Sequence, residues 1–247
     1  MKNLRYFIAL LLLTLSSQVF AADKSFSQEL SGFIGDASNT GTVLQLIIII
    51  TIISDAPSIL IMVTSYVRIT IVLSFLRTAM GLQQTPPNQV LISLSLFLTF
   101  FIMSPTIEES YKTAIRPWLD EKMVESEALP KAAEPFKKFM LANTRDKDLD
   151  LFVGIGKIDP KTELSDIPMH IVTPAFMISE LRRAFEIGFL IFMPFLIIDI
   201  LVASLLMAMG MMMMPPVMIA LPFKIIFFVV IDGWYLLAGS LIKSFTT

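Results

Sequence analysis

The sequence predicts an all-α membrane protein in which two long helical hairpins are separated by a helical periplasmic domain. Three observations carry that expectation. Of 247 residues, 55% are hydrophobic and the mean hydropathy is +0.75, above what a soluble domain of this length keeps in solution. Two apolar stretches each fold back at a tip carrying a Pro-Pro pair, Pro86 with Pro87 and Pro215 with Pro216, and proline suits the first turn of a returning helix. Most of the charged residues lie in one block, residues 108–169.

Composition also excludes function classes. A formal net charge of −2 offers no basic surface to neutralise phosphates, so no nucleic-acid partner is expected. The chain has no cysteine and one histidine, His170. A thiolate metal site, a thiol nucleophile and a histidine-based catalytic pair therefore have no residues to be built from, and the chain is read as a non-enzyme without cofactor or metal.

The elements follow in order. Lys2 and Arg5 precede an apolar run, and Ala21 and Ala22 close it, the three-part pattern of a secretory signal peptide over residues 1–21. Residues 22–42 form a polar leader rich in Gly and Ser. The first hairpin is assigned to residues 43–107. Its opening apolar run, 43–53, is too short to cross a bilayer, and Ser54, Asp55 and Pro57 form a helix-start signal for a helix over residues 56–80. This helix carries Arg68 near its middle, and a cation there costs about 2.5–3.5 kcal/mol on insertion scales; a partner or a wet surface is required. The tip QQTPPNQ (residues 83–89) provides Thr85 as cap and Pro86 as first helical residue of the return limb, which stays apolar until Pro105.

Residues 108–172 read as the charged domain, with short amphipathic helices broken by Pro117, Pro130 and Pro135. Gly154 and Gly156 form a lone G-x-G without the rest of a phosphate loop, and a simple turn is expected. The second hairpin is assigned to residues 173–247, opened by Thr173 and Pro174. Glu180, Arg182, Arg183 and Glu186 form an interfacial collar, and apolar sequence resumes at Ile187. MGMMMMPP (residues 209–216) makes the tip, and the return limb passes Lys224 and Asp232 to end near Ser244. Counting crossings from an amino terminus exported by the signal peptide puts both tips on the cytoplasmic side and the charged domain in the periplasm, although Arg182 and Arg183 lean against the positive-inside rule.

Arg68, Asp199, Lys224 and Asp232 are ionisable residues inside apolar limbs, and such residues are functional candidates by default. Asp199 lies 14 residues before Met213 and Lys224 lies 11 after it, so across a hairpin with its tip there they are offset by only about 4.5 Å of helical rise. A salt bridge between them is expected. Asp232 lies about 12 Å further along and needs another partner. Three such charges also fit a secondary transporter, the rival reading from a different class.

Residues 57–77 (PSILIMVTSYVRITIVLSFLR), 83–91 (QQTPPNQVL), 97–105 (FLTFFIMSP), 173–216 (from TPAFMISELRRAFEIG through MGMMMMPP) and 220–234 (ALPFKIIFFVVIDGW) resemble the FliP family of flagellar and type III secretion export gate subunits. The signal peptide and the large charged insert resemble its flagellar branch. The resemblance implies a core subunit of the flagellar protein export gate in the inner membrane and basal body. It implies several copies joined with FliQ, FliR and other export apparatus membrane proteins in a helical, inward-closed assembly, held largely above the bilayer plane. Unfolded flagellar subunits would pass through it. It also implies a role for Met209, Met211 and Met212 as a pore gasket, for which adaptable thioether side chains are suited.

Overall fold

The computed structural model describes residues 50, 54, 58–59, 61–159, 162–211 and 214–246. The segments expected to be a signal peptide and a leader, most of the apolar run 43–53, the expected helix-start residues Asp55 and Pro57, and Met212 lie outside the described residues. Among those described, every regular element is helical.

Helix α1 is Tyr66–Ala79, shorter than the helix expected over residues 56–80. A turn at residues 63–65 interrupts it, where the amide of Tyr66 donates to Thr64 Oγ1 at 3.4 Å; a local hydroxyl acceptor there competes with the helical ladder. Ile69, Val72, Leu73, Leu76 and Ala79 are buried along its length, the i, i+3, i+4 spacing of an apolar face. The helix closes in a Schellman motif: Leu82 N–H donates to Arg77 O and Gly81 N–H to Thr78 O, with Gly81 at φ +78°, a conformation glycine adopts without a Cβ penalty.

Helix α2, Asn88–Ser110, begins two residues later than expected, with Pro87 rather than Thr85 at its N-cap and no side-chain cap bond. Pro87 itself disfavours helical geometry at Pro86, so the limb cannot turn helical before both prolines are passed. Nor does α2 stop at Pro105, which sits inside it. The helical path continues through a π turn, Tyr111–Ile115, into α3, Arg116–Leu119. The wider turn lets Arg116 N–H reach Tyr111 O just before Pro117, whose ring would clash with a normal α-helical carbonyl.

In the charged segment, α4 is Glu125–Asn143 and holds both Pro130 and Pro135 without breaking. The two carbonyls that lose their helical donors belong to Ser126 and Lys131, both exposed, where water replaces the missing amides. Helix α5, Asp146–Ile155, ends at Gly156, so the glycine pair closes a helix as the simple turn required.

Helix α6, Met169–Ala208, is the longest element at 40 residues. It starts four residues before Thr173, after the extended Pro168; Pro174 lies inside it and frees the carbonyl of the exposed His170. The return limb is not one rod. Helices α7, Pro216–Val230, and α8, Gly233–Thr246, are bent by 63° at Asp232, which takes φ +52°. A Cβ on Gly233 would lie 2.2 Å from Phe228 Cε2, so the bend wraps the chain against the Phe228 ring, which also meets Trp234 edge-on at 5.4 Å.

Helix α1 packs most extensively on α6 and also on α2, so the two hairpins share one core. Ile69, Val72, Leu73 and Leu76 meet Ala184, Phe195, Phe228, Leu237 and Leu241 there. A second core of Met140, Leu149, Ile167, Val172 and Phe176 joins the charged helices to the start of α6. The run Asn88–Leu119 and α6 are each long and apolar enough to cross a membrane, and the bent α7–α8 pair passes that test together.

Candidate functional site: ionic supports beneath a methionine tip

Two ionic contacts, one fully and one partly buried, hold α1 at two levels. Arg68 is fully buried; its Nε donates to Glu180 Oε2 at 2.8 Å and its Nη2 donates to Glu180 Oε1. Its Nη1 donates to Ser244 O at 3.0 Å and to Ser244 Oγ at 2.9 Å, and its guanidinium carbon lies 3.6 Å from the centre of the Phe245 ring. The fork matches a carboxylate bidentately, and the aromatic face adds cation–π attraction. Glu180 therefore leaves the interfacial collar expected for it, because its position in the helical turn faces α1 rather than solvent. Arg182 and Glu186 do remain exposed, paired at 2.8 Å.

At the other end of α1, Lys224 Nζ lies 2.6 Å from Asp199 Oδ2 and donates to Ala79 O at 3.0 Å. The Asp199–Lys224 pair thus forms within the chain, in the register that hairpin geometry requires. Ala79 is the last residue of α1, so the ammonium also sits at a helix C-terminus, where positive charge is favoured. Asp199 Oδ1 is buried without a hydrogen-bond partner. Asp232 is not part of this group: it is exposed at the α7–α8 bend.

A third contact ties the charged helices to α6. Arg145 donates from Nε to Asp148 Oδ2 at 2.9 Å and from Nη2 to Oδ1 at 2.8 Å. Ser179 Oγ donates to Asp148 Oδ2 at 2.6 Å and accepts from the Arg145 amide at 3.1 Å. Hydrogen bonding by Arg145 holds the Asp148 carboxyl below the usual carboxylate range against the opposing effect of burial, with the Ser179 hydroxyl adding to it; the same bond raises Arg145. Ser179 and Glu180 are consecutive, so adjacent residues of α6 grip the charged helices and α1 respectively.

Above the Asp199–Lys224 pair, α6 ends in a second Schellman motif. Met211 N–H donates to Leu206 O at 2.9 Å and Gly210 N–H to Met207 O at 3.0 Å, with Gly210 at φ +74°. Met209 is 66% exposed and Met211 43%; Met207, Met214 and Met218 are exposed too. No Asp, Glu, Lys, Arg, His or Cys occurs in residues 200–223. The described residues of the tip present an uncharged thioether surface, and an ion pair fixes its base.

The contacts made by Glu180, Ser179, Ser244 and the Ala79 carbonyl are ones that sequence reasoning missed. No local pattern links residues 112 positions apart, as Arg68 and Glu180 are. The cue available was an acidic residue, Glu180, in a stretch whose neighbours repeat apolar residues at helical spacing.

Comparison with known proteins adds the following. A family model described as the FliP family matches residues 49–241. The flagellar biosynthetic protein FliP of Bacillus subtilis (strain 168) is 56% identical over 210 residues, 85% of this chain and 95% of that protein. Its counterpart in Caulobacter vibrioides is 58% identical over 209 residues, 85% of this chain and 79% of that protein. The Aquifex aeolicus protein of the same name is 50% identical over 204 residues, covering 82% and 85%.

Proposed function

Because this chain belongs to the FliP family of flagellar biosynthetic proteins, we propose that it is a core subunit of the flagellar export gate, forming with further copies of itself and with FliQ and FliR the channel for unfolded flagellar subunits. As a family member it is a helical membrane protein of the flagellar export apparatus. In the finer reading it lies in the inner membrane and basal body with its charged helices in the periplasm, contacts other export apparatus membrane proteins, and works without enzymatic activity. Met209, Met211 and Met212 act as the gasket.

The observation that supports this reading best is the tip itself. A surface that closes around chains of varying sequence needs adaptable apolar groups and no fixed charge, and residues 200–223 supply that above a braced base. Of the three ionisable residues that favoured a transporter, Asp199 and Lys224 are engaged with each other in holding helices together, and Asp232 lies exposed at the α7–α8 bend.

Replacing Met209, Met211 and Met212 together with Ala is expected to leave the complex purifiable and to make cells expressing it permeable to small solutes. A triple variant that assembles and keeps the membrane as tight as wild type would falsify the gasket. Purified chain reconstituted alone into vesicles is expected to move no solute; uptake by it would favour the transporter.

A further inference from the structure

We propose that the methionine tip is an oxidation site, at which a hydroperoxide converts the thioethers of Met207, Met209, Met211, Met214 and Met218 into sulfoxides and turns a dry apolar tip into a hydrated one. The consequence for closure rests on the gasket reading of the tip. Exposure defines the site residue by residue, and no common centre for the sulfurs is needed. Among the described residues seven methionines are exposed, and five of them lie between residues 207 and 218, at 43–68%. Met80, Met103 and Met140 are buried, at 4%, 1% and 0%. The susceptibility of a thioether follows its exposure, so oxygen transfer falls on the tip before it reaches the core.

The step balances with hydrogen peroxide as the sole oxidant. The sulfur lone pair attacks one peroxide oxygen, the S–O bond forms as the O–O bond breaks, and one proton moves to the departing oxygen, which leaves as water. Sulfur loses two electrons and the peroxide gains them. Each sulfoxide oxygen then needs a hydrogen-bond donor, and the tip has few to give. Residues 200–223 contain one side-chain donor, Ser204, whose hydroxyl already donates to Ile200 O at 2.8 Å. The amides of Met209, Gly210, Met211, Met214 and Met218 donate to backbone carbonyls, and Pro215 and Pro216 have no N–H. Water is left as the main donor to the new oxygens, so a surface that closes by adaptable apolar contact becomes a wet one. The Schellman turn survives the change, because Gly210 N–H to Met207 O and Met211 N–H to Leu206 O are backbone bonds.

The test pairs site mapping with leakage. The full chain in detergent is treated with hydrogen peroxide, and sulfoxides are located by mass spectrometry over time. Met207, Met209, Met211, Met214 and Met218 are expected to oxidise several times faster than Met80, Met103 and Met140. Methionine sulfoxide reductases with a dithiol, which supplies two electrons and two protons and releases the oxygen as water, are expected to restore the thioethers. Membrane vesicles from cells expressing wild type should become leakier to small solutes after peroxide and recover after the reductases. Leucine is close to methionine in volume and carries no sulfur, and such exchanges are well tolerated. Met207→Leu, Met209→Leu, Met211→Leu, Met214→Leu and Met218→Leu combined should therefore lose most of the peroxide response, each preparation being compared with its own untreated vesicles. If that variant does not assemble, Met209→Leu with Met211→Leu is expected to respond less than wild type. The proposal is overturned if the tip methionines oxidise no faster than the buried three, if oxidised wild type leaks no more than untreated, or if the leucine variants respond as wild type does. Failure of the gasket shows differently, as a triple variant with Met209, Met211 and Met212 replaced by Ala that is as tight as wild type before any peroxide is added.

Discussion

Lys224 is 3% exposed and answers two needs with one ammonium, the charge of Asp199 and the terminal carbonyl of α1. Taking it away leaves Asp199 with neither oxygen partnered, since Oδ1 already has none. Breaking a buried pair costs about 3–5 kcal/mol because the surviving charge is stranded. The Asp199 side chain is 32% exposed, and water reaching it moves the expectation to about 3 kcal/mol for Lys224→Ala. Asp199→Ala should cost less, because the lysine keeps Ala79 O. The exchange of Asp199→Lys with Lys224→Asp should recover part of the loss in thermal stability in detergent and part of the motility, but not all, since an aspartate cannot donate to Ala79 O. Single variants within about 0.5 kcal/mol of wild type, the range of ordinary surface changes, would rule the brace out. This pair was legible in advance because both residues belong to one hairpin, where counting residues from the tip gives the register. Arg68 and Glu180 belong to different hairpins, and no count relates them.

At the scale of elements, the packing of α1 on α6 turns on Gly188. A Cβ there would meet Phe75 Cδ2 at 2.5 Å and Cγ at 2.8 Å, and Phe75 is in turn held edge-on by Phe185 at 5.1 Å. Gly188→Ala should therefore destabilise by about 1–3 kcal/mol, the usual range for overpacking, even though alanine is the better helix former. Adding Phe75→Leu should relieve the clash, leaving the double variant more stable than Gly188→Ala alone when thermal midpoints are compared. Midpoints that simply add would mean the ring is not the obstacle. Helix identity and the two tips were readable from apolar runs and Pro-Pro pairs, because those signals are local. Helix ends were less so. Proline was expected to break α4 and to start α6, yet Pro130, Pro135 and Pro174 lie within helices whose freed carbonyls face solvent, and solvent exposure is set by tertiary packing. The break at Asp232 likewise depends on where the Phe228 ring lies.

For the molecule as a whole, the charged helices and the apolar bundle meet at Asp148, Arg145 and Ser179. A carboxyl held below its ordinary value adds stability that is fully present above about pH 3.9, its unfolded range, and is lost as pH falls through the lower folded value. Wild type should accordingly lose stability between pH 5 and strongly acidic conditions, whereas Asp148→Asn should start weaker at pH 7 and be flatter over that interval. Urea midpoints for both proteins at several pH values check this, and parallel profiles would show that the joint does not depend on the charge. The bundle on the other side of that joint has a different dependence. Helix α6 is about 60 Å long, twice the roughly 30 Å hydrocarbon layer, and large apolar side chains such as Phe97, 79% exposed, and Val230, 77% exposed, stand free on the single chain. Whatever covers them, whether lipid, detergent or protein, binds the folded and unfolded forms to different extents, so by mass action its concentration enters the folding equilibrium as a thermodynamic component. A free energy of unfolding for this protein is then a property of a mixture, and two preparations of identical sequence at different detergent or protein concentrations are different thermodynamic systems.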